Sequence, residues 1–196
     1  MSAPLRVLAV VGSLHAGSVT RAVVAHLADR LRAAGCEVDM LDLRAEPLPL
    51  LDTDTSFQSP AYAQLKPRVA RADAFLLGTP DYHGSVSGAL KNFLDHFWRE
   101  FAGKLFASVV ASHEKGLTVH DQLRTIARQC YAWSLPYGVS FVEKEDVRDS
   151  QVTGEAFQQR LEMFARDLRV YGALLTKQRH ADLTGTEPGF LARHRK

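Results

Sequence analysis

The fold is decided by one stretch near the N-terminus, Val7-Leu8-Ala9-Val10-Val11-Gly12-Ser13-Leu14-His15-Ala16-Gly17-Ser18-Val19-Thr20-Arg21. The apolar run of residues 5–11 is too short to span a membrane and too uniformly apolar for a half-exposed strand. It predicts a strand covered on both faces, as in a parallel sheet. Apolar residues then recur at helical spacing at Val23, Leu27 and Leu31, which predicts a helix beginning near Ser18.

The turn between this strand and helix has the features of an anion site. The first backbone amides of a helix have no internal partner, and the helix dipole favours negative charge. Ser13, Ser18 and Thr20 add hydroxyl donors at the same place. We interpret residues 12–20 as a phosphate-binding loop. The alternative is an ordinary strand-to-helix turn in which Ser18 only caps the helix.

Two familiar phosphate loops do not fit this stretch. Gly12 and Gly17 have the glycine spacing of a P-loop, but Ser18 stands where that loop requires a lysine. The dinucleotide fingerprint needs its second glycine at position 14, which is Leu14. What remains is a loop that closes on one terminal phosphate through hydroxyls and amides.

Composition limits the class of protein. A chain of 196 residues with 46% apolar content suits one α/β domain. A formal charge of +2, with no basic run beside exposed aromatics, argues against nucleic-acid binding. We expect no transmembrane helix and no signal peptide, and hence a cytoplasmic protein. Cys36 and Cys130 fit no metal-ligand spacing and are predicted to be buried thiols.

The rest of the chain alternates strands with helices. Further strands are predicted over residues 36–43, 74–78, 105–112 and 137–142. A helix starting near Pro60 is expected to break or kink near Leu65, ahead of Pro67. The last long helix is predicted over residues 154–176, with a buried stripe of Phe157, Leu161, Phe164, Leu168, Tyr171 and Leu175. Residues 1–176 are thus predicted to form the domain, and residues 177–196 a polar, basic C-terminal tail.

Strands that alternate with helices predict a parallel sheet with helices on both faces. In such sheets the ligand binds outside the carboxyl ends of the strands. Three loops end there: residues 12–20, 78–85 and 112–120. We therefore expect these loops to line one crevice.

Two of these loops resemble those of the NADPH-dependent FMN reductase family. Residues 12–21 are similar to that family's Gly-Ser-x-Arg-x-x-Ser-x-(Ser/Thr)-Arg loop, and Thr79-Pro80-Asp81-Tyr82-His83-Gly84-Ser85 to its Thr-Pro-Glu-Tyr-Asn-Gly-Ser loop. The following Gly88-Ala89-Leu90-Lys91-Asn92-Phe93-Leu94-Asp95 and the pair Gly103-Lys104 also resemble the family. The resemblance implies a flavodoxin-like three-layer sandwich with a five-stranded parallel sheet in the order 2-1-3-4-5.

The resemblance also implies a site for FMN and for NADPH or NADH. The phosphate of FMN would be held by Ser13, His15, Ser18, Val19 and Thr20. The flavin ring would be wrapped by Pro80, Asp81, Tyr82, His83, Gly84 and Ser85, with Ser112 at its far edge. The family passes a hydride from NAD(P)H to FMN and on to an acceptor such as free flavin, a quinone or an azo compound. No catalytic side chain and no metal is implied, and the chain would form a homodimer or homotetramer.

The sequence departs from the family pattern at two positions and in the third loop. His15 stands where the family has an Arg that clamps the phosphate, which predicts weaker FMN binding because Arg is permanently charged and bidentate. His83 replaces an Asn, and the third loop lacks a glycine cluster. Two alternatives therefore stay open. One is a flavodoxin-type electron carrier without a pyridine-nucleotide site, although such carriers are acidic and this chain has a pI near 8.6. The other is a flavin-free dimeric binding module.

Several side chains allow two interpretations. Tyr82 either stacks near the ligand or caps the core. His113 and His120 either contact the substrate or are ordinary surface histidines, and His96 is expected to be solvated on its helix. The aromatic residues Phe93, Phe97 and Trp98 either contribute to a dimer interface or belong to a fully buried helix.

Overall fold

The computed structural model describes residues 3–195, and a parallel sheet forms its centre. The strands β1 (Arg6–Val11), β2 (Glu37–Asp42), β3 (Ala74–Pro80) and β4 (Leu105–Ala111) lie in the order β2-β1-β3-β4. The next position is shared by two short strands, β5 (Trp133–Ser134) and β6 (Val139–Phe141), which both pair parallel with β4. The predicted order 2-1-3-4-5 is confirmed.

The fifth strand differs from its prediction. The strand predicted over residues 137–142 is confirmed at β6, but the prediction lacked β5, so the chain pairs with β4 in two pieces on either side of Pro136. A proline has no amide to donate to the ladder, so pairing stops there and resumes beyond Gly138.

Within residues 3–195, five α-helices cover the two faces of the sheet: α1 (Val19–Ala33), α2 (Pro60–Arg71), α3 (Gly88–Asp95), α4 (Leu117–Gln129) and α5 (Glu155–Thr184). Alternate residues of β1 belong to two different apolar clusters. Val7, Ala9 and Val11 pack with α1 and α5, and Leu8 and Val10 pack with α2, α3 and α4. This arrangement is the predicted three-layer sandwich. A small antiparallel hairpin of β7 (Val147–Arg148) and β8 (Gln151–Val152) precedes α5.

Helix α2 runs without interruption through Pro67, so of the predicted break or kink near Leu65 the break is wrong. Proline removes the amide that would bond to the carbonyl of Ala63. Both Pro67 and Ala63 are exposed, and water can therefore bind that carbonyl.

Helix α5 ends at Thr184, not at the predicted Thr176. The added turns are held by Arg179, whose Nε donates to the carbonyl of Ala102 at 2.9 Å. Beyond the helix, the chain folds back and buries Leu191 against Gly103. The predicted buried stripe is also wrong at Tyr171, which is 45% exposed. Gly172 is buried in its place, because Leu5 packs closely over it.

Candidate functional site

An open cleft of about 1370 Å³ lies at the carboxyl end of the sheet, where the loops after β1, β3, β4 and β6 meet. All the residues predicted for the site line this cleft except Ser85. They are Ser13, His15, Ser18, Val19, Thr20, Pro80, Asp81, Tyr82, His83, Gly84 and Ser112. The topology therefore brings the three predicted loops together.

The carbonyls of the first loop, residues 12–18, are bonded by two arginines that lie outside the cleft lining. Arg44 donates to the carbonyl of Leu14. Arg21 donates through Nη1 to the carbonyls of His15 and Ala16 at 3.2 and 3.0 Å. In a planar trans peptide the carbonyl and the following amide point in opposite directions. The amides of His15, Ala16 and Gly17 therefore point away from the two arginines.

The first loop and the start of α1 present a group of unused donors. Among residues 3–195, the structure gives no protein acceptor for five consecutive amides, those of Ala16, Gly17, Ser18, Val19 and Thr20. The hydroxyls of Ser13 and Ser18 accept from backbone amides, so their own protons are left to donate to a ligand. Consecutive amides at a helix N-terminus bind an anion. Ser18 is also the N-cap of α1, so the two interpretations of this turn are compatible.

The second loop, residues 81–85, is a tight two-residue turn. Tyr82 and Ser85 exchange backbone hydrogen bonds of 3.0 and 3.1 Å. Between them His83 and Gly84 have φ of +58° and +75°, as a type I′ turn requires. Asp81 fixes the turn by accepting from the amide of Gly84 at 2.8 Å. Tyr82 is 54% exposed and lines the cleft, so it does not cap the core.

Gln122 on α4 holds this turn from outside the cleft. Its Oε1 accepts from the hydroxyl of Ser85 at 3.0 Å, and its Nε2 donates to the carbonyl of Gly84 at 3.1 Å. Ser85 therefore faces α4 and not the cleft. Ser87 connects the turn to the first loop, since its hydroxyl donates to the carbonyl of Gly12 at 2.6 Å.

Ser112 connects the second loop to the third loop, residues 112–116. Its hydroxyl lies 2.9 Å from Oδ2 of Asp81 and 2.6 Å from the carbonyl of Glu114, the two acceptors for its proton, and it accepts from the amide of Glu114. Ser112 also donates its own amide to the carbonyl of Phe141 in β6. Ser112 thus links three walls of the cleft, two through its hydroxyl and one through its backbone amide.

The histidines divide into exposed and buried groups. His113 is exposed and lines the cleft. His120 is 5% exposed and lies on the inner face of α4, so the surface interpretation of this residue is wrong. Burial, with the nearby charge of Arg124, lowers the pKa of His120. His96 is also buried and not solvated, because it caps α3 among the rings of Tyr62 and Phe97.

Sequence reasoning missed the far wall of the cleft, which carries Glu143, Glu145, Asp146 and Arg160. The loop after β6 showed no motif, and Arg160 lies on α5, far away in sequence. Within residues 3–195 no three His, Cys, Asp or Glu side chains are grouped to hold a metal ion. Over the same residues no helix is long and apolar enough to cross a membrane.

Comparison with known proteins identifies the class. Residues 5–146 match the family model of the NADPH-dependent FMN reductases, and the chain belongs to this family. An FMN-dependent NADPH-azoreductase of Staphylococcus haemolyticus is 31% identical over 171 residues, which cover 80% of this chain and 89% of that protein.

Two solved structures show the same fold. FerB, a flavoenzyme NAD(P)H:(acceptor) oxidoreductase from Paracoccus denitrificans, has a TM-score of 0.72 at 21% identity, covering 89% of this chain and 98% of FerB. A flavodoxin from the domain Archaea has a TM-score of 0.61 at 10% identity, covering 86% of this chain and 98% of the flavodoxin. The fold is therefore flavodoxin-like, as predicted.

Proposed function

We propose that this chain is an FMN-dependent NAD(P)H oxidoreductase that reduces an acceptor such as an azo compound, a quinone or free flavin. Family membership supports the reaction class, and the azoreductase relative supports FMN and NADPH. The structural observation that carries the proposal is the group of five unbonded amides at the start of α1, beside the hydroxyls of Ser13 and Ser18. This group fits one terminal phosphate.

Different loops of the cleft would bind different parts of FMN. Ser13, Ser18, Thr20 and the amides of residues 16–20 would hold its phosphate. Residues 80–84 would wrap the ring, with Ser112 at its edge. When bound, FMN would supply the chemistry by accepting a hydride from the nicotinamide and delivering electrons to the acceptor.

The side chains of this protein position the ligands. Arg21 and Arg44 bond the loop carbonyls, which keeps the amides turned to the phosphate. Asp81 bonds to both Gly84 and Ser112, which fixes the two loops on either side of the ring. Since the cofactor carries the reactivity, no acid, base or nucleophile is required of the protein.

The size of the cleft favours the reductase over an electron carrier. A carrier needs to bind only its flavin, and sites for one small molecule have about 300–1000 Å³. The cleft measures about 1370 Å³ and is open, which leaves room for a nicotinamide or an acceptor beside the flavin. The basic pI of about 8.6 also separates this chain from acidic carriers.

We propose further that the protein acts as a homodimer or homotetramer in the cytoplasm. Phe93 and Phe97 of the α3 region are buried within one chain, whereas Trp98 is more than half exposed and is available to a second copy. Cys36 and Cys130 are free, buried thiols, which suits a reducing compartment. Light scattering of the purified protein would give its mass against the 21.7 kDa of one chain.

Steady-state turnover tests the function. Under anaerobic conditions, protein reconstituted with FMN is expected to oxidise one equivalent of NADPH per flavin by itself, and to oxidise NADPH continuously once an azo dye or a quinone is present. Thr20→Val removes one hydroxyl near the phosphate without changing the shape of the side chain, and should weaken FMN binding about tenfold. Thr176→Val is the matched control, since the Thr176 hydroxyl bonds only within α5. FMN binding without any NAD(P)H oxidation would instead support the carrier.

A further inference from the structure

A chain of hydrogen bonds runs from the sheet through the buried His120 to the third loop. His120 of α4 has its Nδ1 2.8 Å from the hydroxyl of Ser108 on β4 and its Nε2 3.1 Å from the hydroxyl of Ser140 on β6. Ser140 in turn donates to the backbone carbonyl of Lys115. Ser140 and Lys115 line the cleft, whereas His120 does not.

The directions of these bonds define one tautomer of His120. A carbonyl can only accept, so the single proton of the Ser140 hydroxyl is committed to Lys115. Ser140 must then accept from His120, which places the imidazole proton on Nε2. Nδ1 is left to accept from Ser108. Burial and the charge of Arg124, opposed by Asp121, favour the neutral ring that this pattern requires.

The protein leaves space for this ring at a particular position. A Cβ added to Gly138 would lie 2.3 Å from both Cε1 and Nδ1 of His120. Any residue larger than glycine at position 138 would therefore displace the imidazole. Because Gly138, between β5 and β6, has no side chain, the imidazole of His120 can bond to both β4 and β6.

The carbonyl of Lys115 lies at the point where the third loop turns into α4. Gly116 follows it with φ of +59°, and the amide of His120 donates back to the carbonyl of Gly116. We propose that His120 is a positioning residue of the cleft. Through the proton on Nε2 it orients Ser140, and Ser140 holds Lys115 and the third loop against the ligand.

The consequence for flavin binding rests on the proposed function, whereas the effect on the third loop does not. The experiment therefore measures both. Hydrogen exchange of residues 113–121, which include the bonded amides of Glu114 and His120, is followed by mass spectrometry in the FMN-free protein. FMN affinity is measured by quenching of flavin fluorescence. The first measurement remains decisive for His120 even if FMN fails to bind.

Two substitutions distinguish the roles of the two ring nitrogens of His120. His120→Gln places an amide nitrogen near the position of Nε2 and can still donate to Ser140. The shorter side chain of His120→Asn places its amide nitrogen only near the position of Nδ1, so the bond to Ser140 is lost. We expect His120→Gln to keep loop exchange and FMN affinity within about threefold of the wild type. His120→Asn should raise exchange of the bonded amides in residues 113–121 about tenfold and weaken FMN binding.

Two serine variants complete the test. Ser140→Ala, a milder change at a partly exposed residue, should reproduce the effect of His120→Asn. Ser108→Ala is the matched control: it removes the other partner of the same ring and should lower the melting temperature but leave loop exchange unchanged. Equal exchange in His120→Gln and His120→Asn would overturn the proposal, because His120 would then only fill space. A wild-type exchange rate in Ser140→Ala would overturn it as well.

Discussion

Arg21 on α1 and Asp42 at the end of β2 form a two-contact ion pair, with Nε 2.6 Å from Oδ2 and Nη2 3.3 Å from Oδ1. Partial burial opposes ionisation of Asp42, but hydrogen bonds from Arg21 and from the amide of Arg44 outweigh it and lower the pKa of the carboxyl. The same guanidinium bonds the carbonyls of His15 and Ala16. The ion pair thus supports the phosphate loop.

Substitution of Asp42 tests this support. Asp42→Asn leaves the guanidinium without its counter-charge and should lower the free energy of unfolding by about 1–2 kcal/mol at pH 7. Because the pKa of the folded-state carboxyl is lowered, its contribution is complete above pH ~4 and is lost as the pH falls through that lowered value. Urea unfolding of both proteins across this range should show the difference shrinking with acid. Asp29→Asn removes an exposed ion pair with Arg32 as the control. Equal stability of the two variants would count against the support role.

His15→Arg should tighten FMN binding about tenfold or more. His15 lines the cleft beside the unbonded amides, and a guanidinium there can bond a phosphate through two parallel donors. Isothermal titration with FMN measures the gain. His113→Arg adds the same charge on the third loop and should have a smaller effect. Equal gains in both variants would mean that the phosphate does not lie at the first loop.

His83→Asn should stabilise the folded protein by about 0.5–1 kcal/mol. His83 has φ of +58° in the type I′ turn, a conformation that Asn adopts at less cost than other side chains. For a chain of this length, each kcal/mol of added stability raises the melting temperature by about 2–4 °C. Differential scanning fluorimetry gives the value, with His113→Asn as the control on a neighbouring loop. A lower melting temperature in His83→Asn would show that the imidazole makes contacts of its own.

Lys104 should make stability depend on pH. Its side chain is buried, and Nζ donates to the carbonyls of Val69 and Ala70 in the last turn of α2, at 2.9 and 2.8 Å. Burial, with a contribution from the charge of Arg179, lowers the pKa of Lys104 from 10.5 to about 7. Between these values the unfolded chain binds the extra proton, so stability rises with pH by up to about 1.4 kcal/mol per unit.

Lys104→Met removes the titrating group and should flatten this slope between about pH 7 and 10. The variant should also be less stable, because the two carbonyls lose their donor. Urea unfolding at several pH values measures both effects. The exposed Lys91, paired with Asp95, provides the control Lys91→Met. Parallel slopes in the wild type and Lys104→Met would mean that Lys104 stays charged in the folded state.

The features predicted from the sequence are those with local signals. The run Val7–Val11 marks a covered strand, and Ser18 marks a helix start, whatever the rest of the chain does. The order of strands then places the loops at one edge by topology alone. Thr20 and Tyr82 could be assigned to the cleft for this reason.

The features that sequence reasoning missed depend on partners far along the chain. In the sequence, His120 is only a polar residue on a predicted helix. Its role follows from its contacts with Ser108 and Ser140, which the fold brings next to it. Gln122 acquires a role only from the turn it bonds, at Gly84 and Ser85. The predicted end of α5 was wrong because the spacing of apolar residues gives no information about Arg179. This polar residue extends the helix by donating to the carbonyl of Ala102.

The most direct test of the account is an anaerobic titration of the FMN-reconstituted protein with NADPH and then with NADH, followed at the flavin absorbance near ~450 nm. The account predicts that FMN binds one to one and that its absorbance is lost on addition of one equivalent of at least one of these nucleotides. The initial spectrum should return when an azo dye or a quinone is added. A bound flavin whose absorbance neither nucleotide changes, or a protein that binds no FMN at all, would contradict it.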